Sequence, residues 1–440
     1  MNKYLRYILL ASMIFLSFTV YGQKLWTLEE CIKYAWENNL QIKQQEIAVE
    51  QSKNTLKQSQ LSYFPSVSGS IGHNFNWGRS VDMQELIIIE NKLTQATSAS
   101  LSASLPVFNG FSKHNTIKSN KVQLNIANLN IEKLRNDISL NIAKAYLQLL
   151  LSKQIQQNTL VSFNSIEKQR ERTAKLVEAG SQPYSSLLEI DAQVASERVQ
   201  VVNANGQVET NTLTLVQMLD LPPAEKFDIV TPDLEMIVSK FQGESLENIY
   251  DVALKLPQVR STQYALDNSK IQLSMAKGAL YPSISISAGY GTYYSDAAEG
   301  AFKQQFNDNR NPSVGIGVSI PIFNGFQANT KVKNARLSVK NSEIDLKTKH
   351  QDIYKEIQSA VSEARNCYEK YLASEQNVRA MKESFRMAEQ KFESGAINGT
   401  DYIISKTNMI KAESEYYQAK FQYIFQLKII DYYKGIPIIL

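Results

Sequence analysis

Cysteine is almost absent from this chain. Cys31 and Cys367 are the only two in 440 residues, they lie far apart in helix-like stretches, and two thiols make no disulfide framework even in an oxidising compartment. Histidine is nearly as scarce. His73, His114 and His350 show no ligand spacing, which predicts no metal site. No phosphate-binding glycine loop, nucleophile elbow or cysteine motif accompanies them, so the chain reads as a non-enzyme that needs no cofactor. An excess of one charge is missing too: 47 Lys and Arg stand against 43 Asp and Glu, which argues against nucleic acid as a partner. Long apolar runs are confined to the start. Lys3 and Arg6, then "YILLASMIFLSFTV", then Gly22 read as a secretory signal peptide over 1–22; the alternative, a membrane anchor, is disfavoured because a spanning helix needs about 20 apolar residues. No cysteine follows at once, which disfavours lipid attachment there. Beyond this segment no run of about 18 apolar residues occurs, so membrane-spanning helices are excluded. The exported chain is then either soluble or a β-barrel.

What is present is a repetition. "LPVFNGF" ends at Phe111 and "IPIFNGF" at Phe326, an offset of 215. Ile117, Leu124, Ile131, Ile138 and Ala145 recur every seven residues, and the same offset lands on Val332, Val339, Leu346, Ile353 and Ala360, a second apolar heptad seam. Upstream the offset becomes 217: "SKNTLKQSQLSYFPS" aligns with "SKIQLSMAKGALYPS". A unit of about 215 residues is written twice, too long for a solenoid repeat. The expected division is a signal peptide over 1–22, a first repeat over 23–222, a proline-marked linker over 223–245 and a second repeat over 246–440.

Each copy is expected to run helix, two strands, very long helix, glycine-marked turn, long helix. The helices are predicted over 27–61, 112–178 and 184–218, then 246–279, 327–393 and 400–432. The strands are predicted over 65–77, 97–108, 282–294 and 312–323. A helix of about 67 residues would be ~100 Å long, enough to cross a compartment. The strands alternate strictly: Val67, Gly69, Ile71, His73, Phe75 and Trp77 against Ser66, Ser68, Ser70, Gly72, Asn74 and Asn76, and Ala99, Leu101, Ala103, Leu105 and Val107 against serines. Such strands suit a transmembrane barrel or a soluble sandwich. Two features favour the membrane: a Ser/Gly face suited to a wet lumen, and aromatics gathered at the strand ends (Tyr63, Phe64, Phe108, Tyr281 and Phe323; Phe75, Trp77, Tyr290, Tyr293 and Tyr294). Four strands with open edges cannot stand alone in lipid, so copies must share a barrel. A dimer gives eight strands and a side-chain-filled interior; a trimer gives twelve and an open channel, which the small inward residues favour.

This combination resembles the TolC-like outer membrane efflux protein family over essentially the whole chain after the signal. The resemblance implies an α+β membrane protein: a homotrimer whose shared twelve-stranded barrel in outer-membrane lipid continues into a coiled-coil periplasmic tunnel. It implies the exit duct of a tripartite efflux or type I secretion system, with a periplasmic adaptor and an inner-membrane pump of RND or ABC type as partners. The expected junctions from strand to helix are Phe108, Asn109, Gly110 and Phe111, and Phe323, Asn324, Gly325 and Phe326. The family meets its adaptor at the tip turns, here Gly180 and Ser181, and Gly395 and Ala396, in "EAGSQPYSS" and "ESGAINGTD"; the family's valine and leucine are replaced around both glycines. The glycines also fit plain C-cap turns. Asp401 matches one aspartate of the family's periplasmic gate, Ile404 replaces another, and Ser186 is the first-copy equivalent of Asp401. Asp401 equally fits a cap or first-turn acid. The alternatives are a passive porin-like pore and a secreted coiled-coil spacer. The loops 78–96 and 295–311 are expected outside the cell.

Overall fold

The computed structural model describes residues 25–81, 88–222, 227–232 and 245–440. The expected signal peptide and most of the expected linker lie outside them. In chain order the elements are β1 (Leu25–Trp26), α1 (Leu28–Asn38), α2 (Leu40–Leu61), β2 (Ser66–Val81), β3 (Ile88–Asn109), α3 (Ser112–Glu178), α4 (Tyr184–Met218), β4 (Asp228–Ile229), α5 (Leu246–Ala253), α6 (Pro257–Gly278), β5 (Ser283–Ser295), α7 (Phe302–Asp308), β6 (Asn311–Ser319), α8 (Gln327–Glu393) and α9 (Gly399–Tyr433). They form two compact units. Of the described residues, one holds those up to Gln44 with those of Glu132–Leu256 and Asp352–Leu440; the other holds those of Gln45–Ile131 and Pro257–Gln351. Each unit thus takes pieces from both sequence copies.

The long helices α3 and α8 occupy the spans read from the heptads, and none of the ten seam residues is exposed. The single helix expected at the start of each copy is broken in two. Asn39 takes an extended conformation that ends α1, and its side chain accepts from the N–H groups of Gln41 and Ile42 at 2.9 and 3.4 Å, capping α2 in turn. In the second copy the break falls just before Pro257, whose ring and missing N–H prevent a helix from running through it. Among the described residues no helix is long and apolar enough to cross a membrane.

The helical unit is built around Ile138, Ile142, Tyr146, Leu149 and Leu150 of α3, packed with Leu215 and Leu219 from the end of α4, Phe421 and Ile424 of α9, and Cys31, Ile32 and Ala35 of α1. Tyr146 is buried here, and its hydroxyl donates to the carbonyls of Trp26 and Val230 at 3.1 and 2.7 Å. Those carbonyls flank the small parallel pair of β1 and β4, which lacks any sequence signature at two residues per strand. Lys153 of α3 pairs with Asp228 beside it.

The other unit carries one antiparallel sheet in the order β2-β3-β5-β6. Apart from two positions, its register keeps the side chains on the expected faces. Ser68, Ser102, Gly289 and Ser313 form one row across the four strands, and Val67, Ala103, Ala288 and Val314 another on the opposite side. The serine face is knitted by hydroxyl pairs, Ser68 with Ser102 at 2.9 Å and Ser70 with Ser100 at 2.8 Å. The apolar face is bare: Ile71 is 84% and Val314 81% exposed. Two details depart from expectation. A bulge between Pro106 and Phe108 takes Val107 out of the alternation and puts Phe108 opposite Ile284, and Tyr293, opposite Ser98, falls on the serine face rather than among the lipid-facing aromatics.

The expected loops are also more structured than anticipated. Most of 78–96 is strand, with Asn76 opposite Thr94 and Val81 opposite Ile88; its sequence lacks alternation, so periodicity could not reveal it. Within 295–311 lies α7, held by Gln305, a buried side chain whose amide donates to the carbonyls of Ser295, Ala298 and Gly300 at 2.9, 3.1 and 3.0 Å.

Candidate functional site

Both strand-to-helix junctions are built the same way. The Asn109 side-chain oxygen accepts from the Lys113 N–H at 3.2 Å, and that of Asn324 from Ala328 at 3.5 Å, satisfying a donor that a helix start leaves without a partner. The next two residues lie in the left-handed region: Gly110 and Phe111 at φ 62° and 63°, Gly325 and Phe326 at 60° and 62°. Glycine adopts this readily, whereas a phenylalanine there costs about 1–2 kcal/mol. An edge-to-face contact offsets part of that cost. Phe108 meets Phe111 at 5.2 Å and Phe323 meets Phe326 at 5.7 Å, both at 87°, a geometry worth about 0.5–1.5 kcal/mol. The junctions differ in one respect. The backbone of Gly110 lies directly against that of Gly278 at the end of α6, so a Cβ on Gly110 would fall 2.0 Å from the Gly278 carbonyl oxygen; a Cβ on Gly325 would meet nothing within 4 Å.

The two helix-to-helix turns also share a design. Ser181 N–H donates to Leu176 O at 2.8 Å and Gly180 N–H to Val177 O at 3.0 Å; Ala396 N–H donates to Lys391 O at 2.8 Å and Gly395 N–H to Phe392 O at 3.1 Å. Each is a Schellman motif with the glycine at φ 71° or 75°, so the glycines have a turn-forming reason to be there. Gly180, Ser181, Gly395 and Ala396 are all exposed. The following helices start differently. Asn398 caps α9, accepting from the Asp401 N–H at 2.8 Å, whereas Pro183 before α4 makes no side-chain cap. Ser186 and Asp401 both occupy the first turn, Ser186 half-buried and Asp401 exposed, and a carboxylate there is favoured by the helix dipole. Between hairpins, Arg172 meets Glu393 at 2.9 Å, and within the first, Arg170 meets Asp191 at 2.6 Å. Both pairs are half-exposed and so individually weak.

Directly behind the turns, Tyr402 packs with Ile166 and Ile190 and stacks on Phe392 at 4.8 Å. Burial, reinforced by Glu389, Glu393 and Glu197, pushes its hydroxyl up to about 12. One helical turn further on lies a polar node that sequence reasoning missed. Lys406 is 2% exposed, and its ammonium donates to the Ser162 carbonyl at 3.1 Å. Ser162 in turn donates its hydroxyl to the buried Glu197 at 3.3 Å, and Gln193 donates to the other carboxylate oxygen at 3.2 Å. Burial depresses the Lys406 pKa against the opposing pull of Glu197 and Glu389. The node joins α3, α4 and α9. Lysine is almost always solvated in isolation, so nothing local marks it.

The chain matches the family model described as outer membrane efflux protein over residues 31–220 and 248–427. Over 314 residues it is 21% identical to the outer membrane efflux protein BepC of Brucella suis, covering 70% of this chain and 63% of that protein. It is 21% identical to the outer membrane protein TolC of Escherichia coli over 343 residues, 76% of this chain and 69% of the other. The solved structure of CusC superposes with a TM-score of 0.79 at 15% identity, covering 96% of each chain; at that identity the likeness is one of fold. The mostly helical chain with one antiparallel sheet therefore has the TolC-like channel fold, and it belongs to the outer membrane efflux protein family.

Proposed function

We propose that this protein is the outer-membrane exit duct of a tripartite efflux or type I secretion system, working as a homotrimer whose chains share a twelve-stranded barrel. The observation that carries this is the sheet. It has one bare apolar face, one face of serine and glycine, and two edge strands, β2 and β6, without a second neighbour among the described residues. An apolar face suits lipid and a small polar face suits a water-filled lumen, while open edges in lipid would leave backbone groups unsatisfied. Closure with further copies removes both problems. Eight strands would leave an interior filled by side chains, and twelve leave a channel.

The two sequence repeats, 23–222 and 246–440, are the proposed origin of this arrangement, each contributing one hairpin. The helical unit would lie in the periplasm, where the turns at Gly180–Ser181 and Gly395–Ala396 would meet an adaptor protein that links the duct to an inner-membrane pump. The energy for transport would come from the pump. Native mass in mild detergent, corrected for bound detergent, is expected to be that of three chains; a monomer would sink the shared barrel.

Asp401 and Ser186 are the proposed gate positions. Threefold symmetry would bring three Asp401 carboxylates towards one axis, a negative constriction favouring cations. Asp401→Ala should raise single-channel conductance and weaken cation selectivity while leaving the trimer intact. Unchanged conductance and selectivity would leave Asp401 as a first-turn acid of α9 and nothing more.

A further inference from the structure

Charge is spread unevenly along the unit that carries the sheet. The stretches 66–77, 97–111, 283–294 and 312–326 contain no Lys, Arg, Asp or Glu, as a belt in lipid requires. The four stretches of fifteen residues that lead into or out of this belt at its helical end, 51–65, 112–126, 268–282 and 327–341, hold eleven Lys and Arg and no Asp or Glu. The whole chain, by contrast, is nearly balanced at 47 against 43. Acids return only further along each arm, at Glu50, Glu132, Asp267 and Glu343. The opposite end of the sheet has no such bias: 78–96 and 295–311 together hold four Lys and Arg and six Asp and Glu.

Packing gathers these cations into one patch. Ser119 of α3 donates its hydroxyl to Asn268 of α6 at 2.7 Å and accepts from Gln272 at 3.1 Å, which brings Lys118, Lys121 and Lys270 to one level. The contact of Gly110 with Gly278 does the same for Lys113 and Lys277. Ten of the eleven are exposed. The exception, Lys113, is fixed at the edge of the belt, where its ammonium donates to the Pro106 carbonyl at 2.7 Å and lies 5.5 Å from the centre of the Tyr63 ring. Among the described residues only Lys53 of this set meets a carboxylate, that of Glu50 at 3.2 Å.

Helix stability does not account for the pattern. Lys53 and Lys57, Lys118 and Lys121, and Lys333, Arg336 and Lys340 are spaced three or four residues apart, where like charges repel. A helix face that merely stays wet mixes both signs. What the patch adjoins does account for it. It begins beside the exposed aromatic residues that end the apolar face, Tyr63, Phe64, Tyr281 and Phe323, the level at which lipid tails give way to headgroups. Lys113, Lys277 and Lys331 stand within five residues of Phe111, Tyr281 and Phe326. At 1.5 Å per residue that is about 8 Å, roughly one Debye length in physiological salt.

From this we infer that the helix arms form a basic collar that binds the phosphate groups of anionic phospholipids in the periplasmic leaflet of the outer membrane. This rests on the barrel reading above and adds to it the kind of lipid that the barrel selects. A lysine or arginine attracts an anionic surface only at short range, and salt screens the attraction beyond a Debye length. The cations nearest the belt therefore do the binding. Lys53, Lys270 and Lys340, roughly 16–21 Å from the belt along their helices, contribute little.

Spin-labelled lipids test this. With the protein reconstituted in phosphatidylcholine bilayers, electron paramagnetic resonance of trace spin-labelled phosphatidylglycerol or phosphatidylcholine reads the fraction of each held at the protein surface. Phosphatidylglycerol should be preferred about fivefold, the effect of one cation at an anionic surface, and the preference should vanish in about 1 M salt, where the Debye length falls to about 3 Å. The triple variant Lys277→Gln, Lys331→Gln, Lys333→Gln should lose most of it, while Lys53→Gln with Lys340→Gln should keep it; all five side chains are exposed. No preference in the parent, or a preference that the triple variant leaves unmoved, would overturn the collar and leave the barrel standing. A triple variant that alters only the ion selectivity of the channel would place these charges in the water-filled passage and overturn the lipid assignment. A parent protein that does not enter bilayers would overturn barrel and collar together.

Discussion

Gly110→Ala should abolish stable folding of the channel, while Gly325→Ala, the same change at the same position of the second copy, should be tolerated. Both glycines sit near φ +60°, and moving either to alanine adds left-handed strain of about 1–2 kcal/mol. Only at Gly110 does the new methyl collide with something rigid: it would lie 2.0, 2.7 and 2.9 Å from the carbonyl oxygen, carbonyl carbon and Cα of Gly278. Those are backbone atoms at the end of a helix and cannot rotate away. Separating the two segments would also disturb the β3–β5 pairing that begins beside them, so the expected total exceeds about 4 kcal/mol, the range reached only by a few specific mechanisms. Yield in the outer membrane and thermal unfolding followed by circular dichroism would measure the difference. Equal losses at the two sites would mean that the close approach of Gly110 to Gly278 does not matter to stability.

The second large effect is expected at the buried node behind the turns. Lys406→Met keeps the length and removes the charge, leaving the Ser162 carbonyl without its side-chain donor and the buried Glu197 carboxylate without the positive charge that acts on it from across Ser162. Breaking a contacting buried pair from one side costs about 3–5 kcal/mol, and replacing both charges together is often close to neutral; with Ser162 between the two groups the expected loss is smaller, about 1–3 kcal/mol. The double variant Lys406→Met with Glu197→Gln should therefore recover most of the loss, and this non-additivity is the signature of coupling. If the double loss equals the sum of the singles, the residues do not act as a pair. The pH dependence carries a sign. Burial holds the folded-state pKa of Lys406 below its ordinary 10.5, so between the depressed value and 10.5 the unfolded chain binds more protons than the folded one. Stability contributed by this residue rises with pH through that window, and below it the full desolvation cost remains. The buried tyrosines act oppositely: Tyr402 and Tyr423, both pushed up to about 12 by burial, favour the unfolded chain once pH exceeds 10. Subtracting the pH profile of Lys406→Met from that of the parent isolates the lysine, and a flat difference would show that its charge is not strained in the folded state.

How much of this was legible in one dimension follows from the range of each interaction. Heptads located α3 and α8 because a buried seam must recur every three or four residues along the same helix. Alternation located the faces of β2, β3, β5 and β6 because a pleat reverses every residue. The repeated "FNGF" marked both junctions. It could not reveal that the second phenylalanine of each, Phe111 and Phe326, takes a positive φ, a conformation that a bulky residue rarely adopts and that its type therefore does not signal. The break at Asn39 went unread because an asparagine among good helix formers carries no unique signal. The strand within 78–96 went unread because its pairing is made by backbone groups, which every sequence possesses.

The sequence by itself therefore determined the local periods, the faces, the doubled plan and the membership in the family that these imply. Tertiary structure alone decided that β3 of the first copy lies beside β5 of the second, that Gly110 touches Gly278, and that Lys406 is buried against Ser162 and Glu197. The reason is physical. Periodicity records what a residue does relative to its own helix or strand, but contacts between positions more than a hundred residues apart depend on how whole elements pack, and only packing can bring them together.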